Sequence, residues 1–421
     1  MTERRTEILV VGGGPAGLAA AEAASSRGKK VTVIDDNPTF GGQIWRAEKS
    51  ALNENAKRLV DSLETNKVEM LASCSCIAAL PRKRILTLSS GQPLSIAYDK
   101  AVIATGARER FVPFPGWTLP GVFGAGGLQA LVKGGFDVSG KRIVVAGTGP
   151  LLLAVAAYLK KKGGNVLFIA EQAGLADVLR VGLVSLVTPG KISQANALRK
   201  ELRGIPYRNS ALVTGAHGSD SLGSVTVRRR GRESRVDCDL LAVGHHLAPN
   251  TEVAELLGCG VANGRVIVHE NQQTTVKDIF CAGEPGGIGG LELSLIEGKI
   301  AGLAATGRIG ESDGHSKEME KHRRFASVVN SAFRVEASDL RAIQTDDTIV
   351  CRCEDVSFGE IKDLEGFNKA KLQTRLGMGF CQGRVCGSAC EALFEWEGNP
   401  VRPPLVPVKV GNLANFETEN N

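Results

Sequence analysis

The chain has 421 residues, 43% of them apolar and 23% charged, with a formal net charge of +6. Those are the proportions of an ordinary globular protein with room for about three domains. The charge is too mild to argue for a nucleic-acid partner, and no apolar run reaches the ~18 residues of a membrane span. The N-terminus has no signal-peptide h-region, so a cytoplasmic location is the expectation. The 51 glycines announce many tight turns and close backbone approaches.

In chain order, the first element is an apolar strand, Glu7 to Val11, running directly into Gly12-Gly13-Gly14-Pro15-Ala16-Gly17 and an Ala-rich helix. This is G-x-G-x-x-G carried by Gly12, Gly14 and Gly17. The first glycine allows the turn, the second lets a pyrophosphate approach, and the third lets helix and strand pack closely. Pro15 and Ala16 open the helix, whose N-terminal N–H groups suit phosphate. The next strand, Val31 to Ile34, ends on Asp35-Asp36; Asp35 stands 23 positions after Gly12, where an acid suits a ribose hydroxyl.

Next come the turn Phe40-Gly41-Gly42-Gln43-Ile44-Trp45 and a polar helical stretch to about Thr65. Short strands follow over Val68 to Tyr98, with turns at Pro81 and Gly91. Cys74 and Cys76 sit two apart on one strand face, and they read as small packing residues. The apolar run Ala101 to Ala104 closes on Thr105-Gly106. A Gly- and Pro-rich segment then leads to a second copy of the opening pattern. That copy is Arg142 to Ala146, then Gly147-Thr148-Gly149, a helix to Lys162, and the strand Val166 to Ile169. It is degenerate: Leu152 replaces the third glycine, and counting 23 from Gly147 reaches Ala170, so the acid slips to Glu171. Leu152 should push helix from strand and the slip should displace the ribose partner. Both count against a nicotinamide nucleotide.

Residues 213–242 read as strand and turn, and the basic run Arg228 to Arg232 as a solvated hairpin tip. His245 and His246 read as loop or packing residues. A strand at Ile279 to Ala282 leads to Gly283-Glu284 and a helix from Leu291 to Ala305. A polar connector with one amphipathic helix, Lys317 to Phe333, precedes a cysteine-bearing module and a Pro-rich tail from Pro400 to Pro407. Such a tail favours extended geometry and could strap onto a neighbour. Five of the ten cysteines, 351, 353, 381, 386 and 390, crowd into forty residues. In a reducing compartment that points to metal rather than disulfides. Cys351 and Cys353 (C-x-C) with Cys381 and Cys386 (C-x4-C) have the number and softness an iron–sulfur cluster takes. Zinc is the rival, although its knuckles usually use wider spacings.

Together these pieces resemble the flavoprotein superfamily with two dinucleotide-binding domains that includes thioredoxin and glutathione reductases. The marks are the Gly12/Gly14/Gly17 turn with Asp35 and Asp36, Gly41-Gly42-Gln43, Thr105-Gly106 and the late Gly283-Glu284. The resemblance implies FAD at the first site, with the late acid on its ribitol; the superfamily has Gly-Asp there. Neither half carries the C-x-x-C of the disulfide reductases. A closer resemblance is to the alpha-type subunits of heteromeric dehydrogenases: those of opine (octopine/nopaline) oxidases, the flavoprotein subunits of hydrogen cyanide synthase, and the alpha subunits of D-hydroxyproline or L-proline dehydrogenases. Gly147-Thr148-Gly149-Pro150-Leu151-Leu152 carries it, and so does the end of the chain. Cys351-Arg352-Cys353 and Arg375 to Cys386 are similar to the bacterioferritin-associated ferredoxin module, which implies a 2Fe–2S cluster. Arg352, Arg375 and Arg384 would offset the thiolate charge, with Cys390 a spare.

The resemblance implies an α/β fold with two Rossmann-like domains and a small helical 2Fe–2S module. The layout is 1–110 and 245–310 for the FAD domain and 111–244 for the second dinucleotide domain. Residues 311–345 form the connector, 346–398 the cluster module and 399–421 the tail. The implied function is an electron-transfer subunit of an enzyme oxidising an amino acid, imino acid or opine, with no catalytic constellation of its own. The implied partners are a beta subunit like D-amino-acid oxidase and, in some members, a small ferredoxin-like gamma subunit. Some members carry FMN between subunits, and the second site is open to ATP or NAD(P). Any membrane association would come through partners. The competing reading is a stand-alone NAD(P)H-dependent diaphorase or ferredoxin reductase.

Overall fold

The computed structural model describes residues 2–45, 54–186, 188, 190–308, 316–397 and 401–414. Connector residues 311–315, residue 398 of the cluster module, and residues 399, 400 and 415–421 of the tail lie outside them. The chain divides into two compact units. Unit 1 is Met1–Arg108, Pro249–Ala326 and Pro400–Asn421, and unit 2 is Glu109–Ala248 and Ser327–Asn399.

Unit 1 begins with β1 (Thr2–Val11), α1 (Pro15–Ser25), β2 (Val31–Ile34), α2 (Glu54–Thr65) and β3 (Glu69–Leu71). It continues with β4 (Cys74–Leu80), β5 (Arg84–Ser89) and β6 (Gln92–Ile103). The sheet order is β3-β2-β1-β6-β5-β4. β1, β2, β3 and β6 pair with one another in parallel, whereas β5 pairs antiparallel with both β4 and β6. β6 is one strand across Asp99 and Lys100, where the sequence reads separate strands up to Tyr98 and from Ala101. Its first half pairs with β5, and residues 101–103 pair with the late strand Ile279–Cys281. Asp99 is satisfied by Arg5, and Lys100 donates to the Ala305 carbonyl, so the polar pair leaves the ladder intact.

α1 lies against the late helix Leu291–Ala305. Side chains at Gly298 and Gly302 would fall 2.2 and 2.3 Å from the carbonyl oxygens of Ala16 and Ala20, so the two backbones touch. The tail belongs to this unit as well. Leu405 is buried in its core, and its N–H donates to the Ile77 carbonyl at 2.9 Å. At Leu405 the tail is anchored on its own chain, because that leucine has a core to enter.

Unit 2 holds a parallel five-stranded sheet. Its order is Tyr207–Arg208, Asn165–Glu171, Arg142–Thr148, Leu240–His245, Val122–Gly124. Beside it runs an antiparallel meander of Ala211–His217, Ser224–Arg229 and Arg232–Asp237. The basic run is its hairpin tip. Arg230 and Gly231 both have positive φ (50° and 78°), the geometry of a two-residue turn that keeps the strands twisted correctly.

The Gly-rich segment before the second repeat contains an unexpected helix, Ala125–Lys133. It forms because Glu109 accepts the Gly126 N–H (2.9 Å) at its start, while Ala125, Leu128 and Val132 give it a buried face. Two further helices, Leu175–Ser185 and Lys191–Glu201, bury no side chain. The cysteine-bearing residues have a small core of their own, including Val350, Val356, Ile361, Phe367 and Leu376. Among the described residues no helix is long and apolar enough to cross a membrane.

Candidate cofactor sites

In unit 1 the three fingerprint glycines have different jobs. Gly12 has φ +109°, and a Cβ there would sit 2.2 Å from the Ala104 oxygen, so the turn passes hard against the end of β6. A Cβ at Gly17 would lie 1.8 Å from the Gly12 oxygen, so this glycine sets the helix–strand approach. Gly14 is the open one: its Cβ would meet nothing nearer than the Gly42 Cα at 3.8 Å. That cradle, at the N-terminus of α1 opened by Pro15 and Ala16, fits a pyrophosphate. The Gly41 N–H donates to the Gly13 carbonyl (2.8 Å), which folds the Gly41-Gly42 turn onto the loop and leaves Gln43 exposed beside it.

Asp35 is only 7% exposed. Its carboxylate accepts from the Gly13 N–H and from the backbone and side-chain nitrogens of Asn37 (2.8 and 2.9 Å). A carboxylate offers about four acceptor positions, so one remains for a ribose hydroxyl, with the exposed Asp36 next to it. Thr105 and Gly106 close on Asn250. Thr105 Oγ1 donates to the Asn250 carbonyl (2.7 Å), and Asn250 Nδ2 and N donate to the carbonyls of Thr105 (2.9 Å) and Gly106 (3.0 Å).

Gly283 has φ +77°, and its Cβ would stand 2.9 Å from the Ala16 Cβ, so the late strand ends directly over the start of α1. Burial raises the pKa of Glu284, although its carboxyl takes a backbone hydrogen bond from Gly290. The buried acid that sequence reading missed is Glu297, 8% exposed. It accepts the Gly283 N–H (3.1 Å) and Arg323 Nη2 (3.0 Å), and burial raises its pKa against the pull of that arginine. A charged residue inside the apolar run Leu291 to Ala305 was the available signal.

The second repeat, in unit 2, corrects two expectations. The strand Asn165–Glu171 carries a bulge between Val166 and Phe168, so one extra residue is absorbed and Glu171 pairs with Gly147. The acid is therefore back in register. It is also sealed. Glu171 is 0% exposed and accepts the N–H groups of Gly149 (3.1 Å) and Ala173 (2.9 Å), with Thr148 and Tyr207 side chains on it as well. Burial raises its pKa.

Leu152 does not wedge the helix away; it is fully buried among Leu128, Val155 and Leu159. Gly147 is the tight point here, its Cβ position 1.8 Å from the Gly244 oxygen. The chain's own later residues cover the turn. Thr148 Oγ1 donates to the Phe333 carbonyl (3.4 Å), and the His246 ring, hydrogen-bonded to Asn330, borders Gly149. His245 is fully enclosed, and burial pushes its pKa down to about 4, as suits a neutral packing histidine.

The four expected ligand cysteines meet as two pairs in unit 2. Cys353 and Cys381 have their sulfurs 3.8 Å apart, and Cys351 and Cys386 share a hydrogen bond. That bond, with backbone N–H groups of Gly377, Glu354 and Cys353, brings the Cys351 pKa down to about 6 and drives that of Cys386 up. Gly379 is obligatory: a Cβ there would come within 2.3 Å of the Cys353 Cβ. Among the described residues no group of three or more His, Cys, Asp or Glu is arranged to hold one metal ion. Tetrahedral zinc gathers four ligands on a single ion, whereas a 2Fe–2S centre takes its ligands two per iron. Paired thiols suit the second.

Cys390, one turn after Cys386, is 0% exposed, and burial pushes its pKa to about 12. The arginines are less available than their spacing implied. Arg375 binds Glu354 (2.7 Å), Arg384 binds Gln382 (3.0 Å), and Arg352 lies over the Trp117 ring. Cys74 and Cys76 sit in β4 within the core of unit 1, with pKa values raised by burial.

Two units, each with parallel strands that carry a glycine turn and an acid at the next strand tip, define a two-dinucleotide-domain oxidoreductase of the flavoprotein type. Residues 6–290 match the pyridine nucleotide-disulphide oxidoreductase family, to which this chain belongs and which implies FAD. The chain is similar to hydrogen cyanide synthase subunit HcnB of Pseudomonas protegens, with 30% identity over 91% of this chain and 90% of that protein. It is equally similar to an opine oxidase subunit of Rhizobium meliloti, with 30% identity over 97% of this chain and 98% of that protein. In fold it is similar to L-proline dehydrogenase from P. horikoshii, with TM-score 0.70 and 18% identity over 98% of this chain and 80% of that one.

Proposed function

We propose that this chain is the FAD- and 2Fe–2S-bearing electron-transfer subunit of a heteromeric dehydrogenase acting on an amino acid, imino acid or opine. The observation that carries the reading is the pairing of four thiols, Cys351 with Cys386 and Cys353 with Cys381, in a chain whose first glycine turn is open at Gly14. FAD would be held by Gly12, Gly14 and Gly17 at its pyrophosphate and by Asp35 at its ribose; when bound it supplies two-electron chemistry that a one-electron centre can drain. Around it, Gly42 and Gly283 keep backbone rather than side chain against the loop, and Glu297 fixes the Gly283 N–H. The four cysteines would hold the cluster.

Substrate oxidation is assigned to a partner flavoprotein subunit, for which the related subunits give the motive. Support for a permanent partner comes from the helix Leu175–Ser185. Leu175, Leu179 and Leu183, followed by Leu186, are 56, 58, 68 and 61% exposed at helical spacing. The test is to express the chain alone and with its neighbouring flavoprotein, and to assay dye reduction with proline, hydroxyproline, glycine and opines. Turnover by the isolated chain would defeat the proposal.

A diaphorase gains one point, the restored register of Glu171. That carboxylate is fully buried, however, and its oxygens are already engaged within the chain. Anaerobic NADH should leave the bound flavin oxidised; rapid bleaching would select the diaphorase.

A further inference from the structure

We propose that Arg323, a surface arginine of the connector helix Ser316–Ala332, is a positioning residue for the flavin. Through Glu297 and Gln272 it fixes the end of the late strand, residues 281–283, over the first glycine turn. The inference rests on the assignment of FAD to that turn and needs neither the cluster nor a partner subunit.

Three consecutive residues at this strand end are held by three separate hydrogen bonds. Gln272, its amide oriented by its hydrogen-bonding neighbours, donates to the Cys281 carbonyl (2.9 Å). The Ala282 N–H donates to the Ile103 carbonyl (2.9 Å), and the Gly283 N–H donates to Glu297 Oε2 (3.1 Å). The middle bond continues the ladder to β6. The outer two run through side chains, and both side chains end on one guanidinium. Arg323 Nη2 donates to Glu297 Oε1 (3.0 Å) and to the Gln272 amide oxygen (2.9 Å), and Arg323 Nε adds a bond to Glu297 Oε1 (3.3 Å).

Neither intermediary sits comfortably where it is. Glu297 is the one charged residue among those that the helix Leu291–Ala305 buries, and an apolar residue there would pack without desolvating a carboxylate. Gln272 is 2% exposed, and it and Asn271 have φ of +64° and +57°, a conformation that residues with side chains rarely adopt. Strain of that kind persists only where the surroundings over-determine it. An ion pair that merely tied down the connector helix would need one point of attachment. Here two reach the backbone, on either side of the bond to β6.

What they fix lies against the flavin turn. Gly283 has φ +77° and ψ −152°, a region open essentially to glycine alone. Its Cβ position stands 2.9 Å from the Ala16 Cβ in the first turn of α1. Drift of this backbone would therefore be felt directly at the helix N-terminus that receives the diphosphate, and a binding site is only as well placed as the groups that support it.

The experiment uses the full chain, stripped of flavin and titrated with FAD by calorimetry. Urea midpoints of the stripped protein and hydrogen exchange over residues 279–286 are measured beside it. Arg323→Met should weaken FAD about tenfold, the size of one lost buried hydrogen bond, and speed exchange at Gly283 before FAD is added. Gln272→Met should act in the same direction, and the double variant should lose less than the two losses multiplied, because both work through one network. Glu297→Gln keeps an oxygen for the Gly283 N–H and should stay within about threefold of wild type. Should Arg323→Met fail to fold, Arg323→Lys, which keeps the charge without the planar fork, takes its place with the same expected direction. A purely structural tie would lower the urea midpoints and leave FAD affinity and Gly283 exchange unchanged. That result, or multiplicative losses, overturns the inference alone. Failure of the wild-type chain to take up FAD would sink the flavin assignment instead.

Discussion

Replacing Gly14 by alanine separates cofactor binding from folding more cleanly than any other change in the first turn. Gly14 has φ −78° and ψ −175°, an extended conformation open to any residue, and its new methyl would meet only the Gly42 Cα at 3.8 Å. The apoprotein should therefore lose no more than about 1 kcal/mol, the scale of a helix N-cap exchange. The methyl does occupy the place where phosphate oxygens would reach the N–H groups of the loop. Hydrogen bonds to charged groups contribute about 1.5–3 kcal/mol each. Loss of about 3 kcal/mol lowers FAD affinity roughly 150-fold.

Gly17→Ala is the contrast. Its methyl would lie 1.8 Å from the Gly12 oxygen, a clash no rotamer relieves. Overpacking of that kind costs about 1–3 kcal/mol or more in the fold itself. The assay is urea denaturation of the apoproteins together with FAD titration by calorimetry. If Gly14→Ala binds FAD like the wild type, or unfolds as readily as Gly17→Ala, the pyrophosphate is not at this turn and the reasoning fails.

Changing Cys381 to alanine should abolish an S = 1/2 signal in the dithionite-reduced protein, while Cys390→Ala, Cys74→Ser and Cys76→Ser should keep it; stoichiometric zinc in iron-free, anaerobically prepared protein would refute the cluster. Burial raises the folded pKa of Glu171 above its unfolded value near 4.5. Its folded form then holds the proton more tightly, so its contribution to stability falls as pH rises from about 4.5 through the raised value. Glu171→Gln should flatten that slope in urea midpoints taken across the window, and parallel curves for the two proteins would count against it. Leu183→Glu places a charge on the exposed leucine row and should reduce co-purification of the partner flavoprotein at least about tenfold without altering the melting temperature of the chain alone; unchanged recovery would clear that face.

Much of the cofactor machinery was legible in the chain itself, because it depends on backbone chemistry that only a few residue types permit. The spacing of Gly12, Gly14 and Gly17 marked the turn, and Asp35 its acid. Cys351, Cys353, Cys381 and Cys386, singled out by their spacings, stand as two thiol pairs, 351 with 386 and 353 with 381. A helix carried by Ala125, Leu128 and Val132 was invisible because Gly126 and Gly127 lower local propensity, and Glu109, seventeen residues before Gly126 in sequence, supplies the cap. Long sequence separation likewise hid the Gly298/Gly302 contact with α1.

Tertiary structure alone decided the state of the second nucleotide turn. Counting residues put its acid one place out, and a bulge at Leu167 put it back. Glu171 then accepts the Gly149 and Ala173 N–H groups, and Thr148 Oγ1 donates to the Phe333 carbonyl. The tail likewise enters the core of unit 1 through Leu405. Each of these depends on which distant backbone groups arrive to satisfy a buried polar atom or accept an apolar side chain. Local spacing carries no record of those arrivals, since they follow from how the sheets stack and where the chain returns.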